Sequence, residues 1–250
     1  MKLEQLFEDP QTDKQFRQQA LDVYNKFVNF VDEHGLEGFR KTPKGDYYLN
    51  SSDDLGINHT LTFKILIRVL DEETKKSKFQ GQPVAAGVDG DKRILVMYID
   101  QSTFDIFDEF IKNDNRRKLF VHELTHLYDQ DRSFQQIKPS SKEETLRDYY
   151  NTPAEYNAYY QEGIDNFENR IELFHKKAKE NSERIPSLQS FLEKRFGGDS
   201  FEQFLDVIYN HFDKEFINYL SDDNHKRLKK RLYQYYDENK QDLYDLTQYQ

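Results

Sequence analysis

Between Leu61 and Val69 the chain alternates. Leu61, Phe63, Ile65, Ile67 and Val69 are apolar, and Thr62, Lys64 and Arg68 stand among the residues between them. Successive side chains of an extended strand point to opposite faces, so this run predicts a strand over 60–70 with one buried face. Elsewhere the period is mostly helical. Phe16, Ala20, Val23, Phe27 and Val31 recur at three- and four-residue steps, which predicts a helix over 11–34 with Gly35 as its stop. A short strand at 84–88, an Asp89-Gly90 turn and an apolar strand at 93–100 follow. Phe104, Phe107 and Ile111 mark a helix near 103–112.

Beyond Asn113 the pattern is almost all helical. Asp114 caps a predicted helix over 115–130, and Ser141 with Glu144 reads as a capping box for one over 142–150. Thr152-Pro153 opens a long helix to about 181. Pro186-Ser187 opens another, stopped by Gly197-Gly198. Ser200 with Gln203 starts a helix to about Leu220, and a last one covers 223–245. A small sheet in the first half, with helices around and after it, is an α+β pattern. The predicted organisation is a core over 1–160, holding the N-terminal helix, the sheet and the helix over 115–130. A helical region over 161–250 completes or covers it.

Composition narrows the chemistry. The 250 residues include no cysteine, which excludes disulfide frameworks, thiolate-bound zinc, iron–sulfur clusters and thiol nucleophiles. The net charge of −10 disfavours tracking a phosphate backbone, so no nucleic-acid partner is expected. With 20 Phe and 17 Tyr, the core is expected to be aromatic. The N-terminus lacks the apolar stretch of a secretory signal, and no segment approaches the ~18 apolar residues of a membrane span. The expectation is a soluble, cytoplasmic protein without a membrane partner. His225-Lys226-Arg227-Leu228-Lys229-Lys230-Arg231 is the strongest basic run, and it reads as a solvated helical face with Leu228 and Leu232 turned inward.

One segment carries chemistry: Phe120-Val121-His122-Glu123-Leu124-Thr125-His126-Leu127-Tyr128-Asp129. On a helix, residues four apart share a face with Cβ atoms about 5–6 Å apart, so His122 and His126 can converge on one ion. On a strand they would lie about 13 Å apart. Glu123 is one helical step, about 100°, round from His122, which sets a carboxylate beside the ion and makes it the candidate general base. Asp129 is a candidate acceptor for the second N–H of His126.

A catalytic zinc commonly takes three protein ligands. A downstream third histidine in the form HxxGxxH is excluded, because position 129 is Asp and 132 is Arg. Glu155, in Asn151-Thr152-Pro153-Ala154-Glu155-Tyr156-Asn157-Ala158, is the best candidate, with Asp148 as runner-up. Two readings of Glu155 compete: a metal ligand, or the return arm of a capping box opened by Thr152. Tyr149, Tyr150, Tyr156 and Tyr159 are candidates for stabilising an oxyanion.

His122-Glu-Leu-Thr-His126 followed by Pro153-Ala-Glu155-Tyr-Asn-Ala158 resembles the HExxH zinc metallopeptidases, the zincins. The likeness is greatest to gluzincin-like sets, whose third ligand is a Glu on a later helix, and to small uncharacterised metallopeptidases of phage and viral genomes. The likeness covers about residues 60–160. It implies a twisted sheet packed on the HExxH helix, with an edge strand above a cleft, for which 93–100 suits by position as well as it suits a central strand. It further implies Zn²⁺ held by His122, His126 and Glu155, a peptide or protein substrate, and hydrolysis by a metal-activated water with Glu123 as general base. If the chain is viral, it implies a host-cytoplasmic location. A rival expectation is a non-catalytic, metal-stabilised helical protein that binds a host or virion partner through its aromatic-rich second half.

Overall fold

The computed structural model describes residues 10–57, 62–79, 84–89, 92–130, 143–180 and 201–245. The chain divides into two compact units, Phe16–Gln136 and Met1–Gln15 with Ile137–Gln250. The expected boundary at 160 falls inside one continuous helix, Pro153–Glu180. The helix expected from Pro186-Ser187 and the capping residues Ser141 and Ser200 lie outside the described residues.

The unit Phe16–Gln136 holds the sheet. Helix α1 (Pro10–His34) supplies most of its residues to this unit and ends where Gly35 takes φ +58°, a left-handed conformation that glycine adopts without a Cβ penalty. Five strands follow: β1 (Arg40–Lys41), β2 (Tyr47–Asn50), β3 (Lys64–Leu70), β4 (Val84–Asp89) and β5 (Ile94–Asp100), in the order β1-β2-β3-β5-β4. β3 and β5 are parallel, and every other pairing is antiparallel, so the sheet is mixed and open. Helix α2 (Glu72–Phe79) follows β3. Short helices α3 (Gln101–Phe104) and α4 (Phe107–Ile111) lead to the motif helix α5 (Asp114–Gln130), which packs on β4 and β5.

The alternation over β3 is realised: Phe63, Ile65 and Ile67 are buried while Lys64 is exposed. The core is aliphatic on the sheet and aromatic on the helices. Ile65, Ile67, Leu95, Met97 and Ile99 meet Phe27 of α1 and Phe120 of α5, whose rings stack 5.4 Å apart. Tyr24 packs edge-on to Phe120, and its hydroxyl donates to the Ile111 carbonyl at 2.6 Å, which ties α1 to the end of α4.

Three features that the apolar period left open or did not show have clear causes. The segment 93–100 forms an interior strand (Ile94–Asp100), because β4 flanks it on one side and β3 on the other; the edges of the sheet are β1 and β4. The helix expected over 103–112 breaks between Phe104 and Phe107, where Ile106 leaves helical geometry (φ −122°, ψ 31°). The short strands at 40–41 and 47–50 and the helix over 72–79 lack a readable apolar period; the helix is EETKKSKF, nearly all polar.

The unit containing Ile137–Gln250 is helical among its described residues. It consists of α6 (Glu143–Asn151), α7 (Pro153–Glu180), α8 (Phe201–Ile208), a single 3₁₀ turn (Tyr209–His211), α9 (Lys214–Tyr219) and α10 (Asp222–Asp245). α7 and α10 flank α8, and α6 packs on α7 and α9. The one helix expected from Ser200 to about Leu220 is therefore two. Phe212 is extended, and the Asp213 carboxylate caps α9 by accepting from the Glu215 and Phe216 amides at 2.8 and 3.0 Å. Phe204, Ile208, Phe212 and Phe216 keep a four-residue spacing across the break, so the apolar period hides it. The rings of Phe204, Phe212 and Phe216 and those of Tyr150, Tyr156, Tyr160 and Phe167 form the aromatic core of this unit, with Ile208 packed among them.

Candidate metal centre

Within Phe16–Gln136 the site is built on α5. Phe120, Leu124 and Leu127 lie on the side that meets the core, and all three are buried. At about 100° per residue, His122 and His126 fall on the opposite side, with Glu123 between the two faces. That opposite side is not solvent: His122, Glu123 and His126 are 6%, 8% and 5% exposed, and Thr125 is fully buried. The Thr125 hydroxyl donates to the Val121 carbonyl at 2.9 Å, one turn back, and so needs no other acceptor in this apolar stretch.

The imidazoles turn toward each other. Their Nε2 atoms are 3.1 Å apart, with ring centroids at 4.8 Å and planes at 74°. Two nitrogens bound tetrahedrally at 2.0–2.1 Å to one zinc would be separated by about 3.3 Å. The pair thus has the bite of a chelate. It is the same separation at which one neutral ring would donate to the other, so the geometry accommodates a shared proton or a shared ion. A third buried hydrogen-bonding group, the Glu123 carboxylate, lies one residue away. The Asp129 side chain, expected to hold the His126 ring, lies outside the described side chains.

Within the other unit, Glu155 occupies the first turn of α7. Its amide donates to the Thr152 hydroxyl oxygen at 3.3 Å, the forward arm of a capping box. The return arm would run from the Thr152 amide to the Glu155 carboxylate. That amide instead donates to the Tyr149 carbonyl at 3.1 Å, and the Thr152 hydroxyl donates to the same oxygen at 3.0 Å. The cap is thus closed by backbone, and the Glu155 carboxylate is not used by it. Asp148, the alternative ligand, is exposed on α6.

The residues after Glu155 are clamped by two arginines of α10. The Arg227 guanidinium lies 4.7 Å from the Tyr156 ring centre. That of Arg231 lies 3.5 Å from the Tyr160 ring and donates to the Asn157 side-chain oxygen at 3.2 Å. The basic run is accordingly split. Leu228 and Leu232 are fully buried as expected and the lysines are exposed, but Arg231 is buried as well. The signal for this was present at four-residue spacing, Arg227 and Arg231, on the side next to the two leucines. Among the candidate tyrosines, burial pushes the Tyr159 phenol far above its usual range, and the neighbouring acidic groups, the phenols of Tyr149 and Tyr150 and the carboxylates of Glu155 and Glu162, add to it. Burial does the same to Tyr150, reinforced by Asp213 and Glu215 and opposed by a hydrogen bond with Tyr159. Both phenols stay protonated donors in the physiological range.

A separate cavity of about 480 Å³, lined by Val31, Asp32, Leu36, Phe104, Phe107 and Lys112 among others, contains none of these site residues. Among the described residues no helix is long and apolar enough to cross a membrane. Comparison with protein-family models, with curated proteins and with solved structures finds no match to the chain.

Proposed function

We propose that the chain is a zinc-dependent metallopeptidase of zincin-like build, in which His122, His126 and Glu155 hold the ion and Glu123 is the general base. The observation that carries this reading is the 3.1 Å approach of two buried imidazole nitrogens from successive turns of α5, with a buried carboxylate beside them. The donor set is right for zinc: two neutral nitrogens and one carboxylate, and no competing thiol. The closure of the Thr152 cap by Tyr149 supports Glu155 over the capping alternative.

A bound Zn²⁺ supplies a Lewis acid that makes water acidic near neutral pH and polarises the scissile carbonyl. The chain's own groups do the rest. An oxygen of the Glu123 carboxylate accepts the proton released by the attacking water and delivers it to the leaving amine nitrogen, so the carboxylate is regenerated. Burial of Glu123 limits competing bulk water at that oxygen. β4 supports a zincin-like arrangement: it is one of the two edge strands, runs antiparallel to β5, and packs with α5. A peptide would add to its open edge through backbone hydrogen bonds, which favours a protein or peptide substrate read with little sequence demand. The cysteine-free composition suits a reducing, cytoplasmic setting.

Elemental analysis of the purified protein and hydrolysis of a broad peptide library test the reading together. The expected result is one zinc per chain, with turnover. Glu123→Gln should retain zinc and lose hydrolysis by at least ~100-fold, as expected for a general base, whereas His126→Ala should lose both. Zinc without turnover in the wild type, and no change on Glu123→Gln, would favour the non-catalytic, metal-stabilised binding protein instead.

A further inference from the structure

We infer that Asn151 is a positioning residue for the metal centre, acting through the α6–α7 corner that carries Glu155; the inference rests on the ligand role proposed for Glu155.

Asn151 is the last residue of α6, four before Glu155. A side-chain amide has two donor hydrogens and an oxygen with two lone pairs, and here all four are used. Its nitrogen donates to the Arg147 carbonyl at 2.6 Å and to the Tyr219 carbonyl at 2.8 Å. Its oxygen accepts from the Ser221 amide and from the Asn224 side-chain nitrogen, both at 2.8 Å. Arg147 belongs to α6, Tyr219 ends α9, and Ser221 and Asn224 open α10. One amide therefore pins the α6–α7 corner to the α9–α10 corner.

A corner between two helices is a soft place to mount a metal ligand, because a few backbone torsions there swing the whole first turn of the next helix. Thr152 caps α7 locally, but both of its bonds to Tyr149 lie inside the corner and do not fix the corner in space. Asn151 supplies the outside reference. Three of its four bonds span about 70 residues of sequence (separations of 68, 70 and 73). Groups that orient a metal ligand without touching the metal typically alter affinity about 10–100-fold when removed.

Asn151→Asp is the informative variant. The carboxylate can still accept from Ser221 and Asn224, but it cannot donate, and it sets a negative oxygen against the Arg147 and Tyr219 carbonyls. Zinc affinity would be measured by competition with a chromogenic chelator, and ligand geometry by the visible spectrum of the Co²⁺-loaded protein. We expect binding about 10-fold weaker or more, unchanged helical circular dichroism, and a Co²⁺ spectrum shifted toward that of Glu155→Ala. In the Glu155→Ala background, Asn151→Asp should have no further effect on either readout. Wild-type affinity and spectrum in Asn151→Asp, or an equal loss with and without Glu155, would overturn the inference while leaving the ligand set intact. If Asn151→Asp does not fold, Asn224→Ala, which removes one of the four bonds, decides: weaker zinc binding with a shifted Co²⁺ spectrum supports the role, and wild-type values refute it. A wild-type protein that takes up no zinc or cobalt refutes the metal reading itself, and this inference with it.

Discussion

Asp100 shows how much a single carboxylate does outside the candidate centre. It caps α3 by accepting from the Thr103 amide at 2.8 Å, accepts from the Ser102 hydroxyl at 2.9 Å, and pairs with Lys75 at 2.7 Å. Burial alone would raise its pKa. The Lys75 contact and the Thr103 and Ser102 hydrogen bonds outweigh burial and hold the carboxyl well below the ordinary carboxylate range. A group whose pKa is lower in the folded state stabilises the fold above its unfolded value of about 3.9 and loses that contribution as pH falls toward the folded value. Stability should therefore drop through the acid range below about pH 4. Asp100→Ala should cost about 1–3 kcal/mol at neutral pH and flatten that acid limb. Urea unfolding at a series of pH values measures both. An acid limb identical in the variant would show that Asp100 does not carry it.

At the scale of elements, close packing of α7 on the segment before α9 sets the helical unit. A methyl group on Gly163 would run into the ring of Phe212, while the helix itself would gain from alanine. Overpacking commonly costs about 1–3 kcal/mol, against about 1 kcal/mol of helix propensity. Gly163→Ala should thus lower the thermal midpoint, read by calorimetry; a higher midpoint would mean that the Phe212 ring moves aside freely. Leu228 is fully buried on α10, and Leu228→Ala should destabilise by about 2–5 kcal/mol. Lys226 and Lys230 are exposed on the same helix, and their replacement by Gln should stay within about 0.5 kcal/mol. This contrast, measured by denaturant unfolding, separates the packed side of the basic run from its solvated side.

For the whole molecule, a ligand that binds only the folded chain adds to its stability by mass action. Zinc at about 100 times its dissociation constant would add about 2.7 kcal/mol. Dialysis against a chelator should lower the thermal midpoint of the wild type, and readdition of zinc should restore it. The same treatment should leave His126→Ala unmoved. A chelator-insensitive wild type would argue that the imidazole pair shares a proton and no metal. The effect is expected to be reversible, because the metal-free chain keeps two extensive cores that contain neither histidine.

Much of this was legible in the residue order, for reasons of period and spacing. The alternation at Phe63, Ile65 and Ile67 marked a strand, because a strand's two faces differ by single steps. The spacing of Phe16 to Val31 marked α1, and Gly35 marked its end. His122 and His126 could be paired because a helix brings fourth neighbours together whatever surrounds it. Other features depend on partners distant along the chain. Neither the interior place of residues 94–100 nor the edge position of β4 can be read from one strand, since order in a sheet is a property of neighbours. The break at Phe212 is invisible to a period that continues through it and is made by the Asp213 cap. The capping box at Thr152 has its return arm taken by Tyr149, and Asn151 finds its partners about 70 residues away. Local spacing determined which groups can act together; long-range hydrogen bonds and packing decided where each is held, because those contacts join residues that carry no sequence mark of one another.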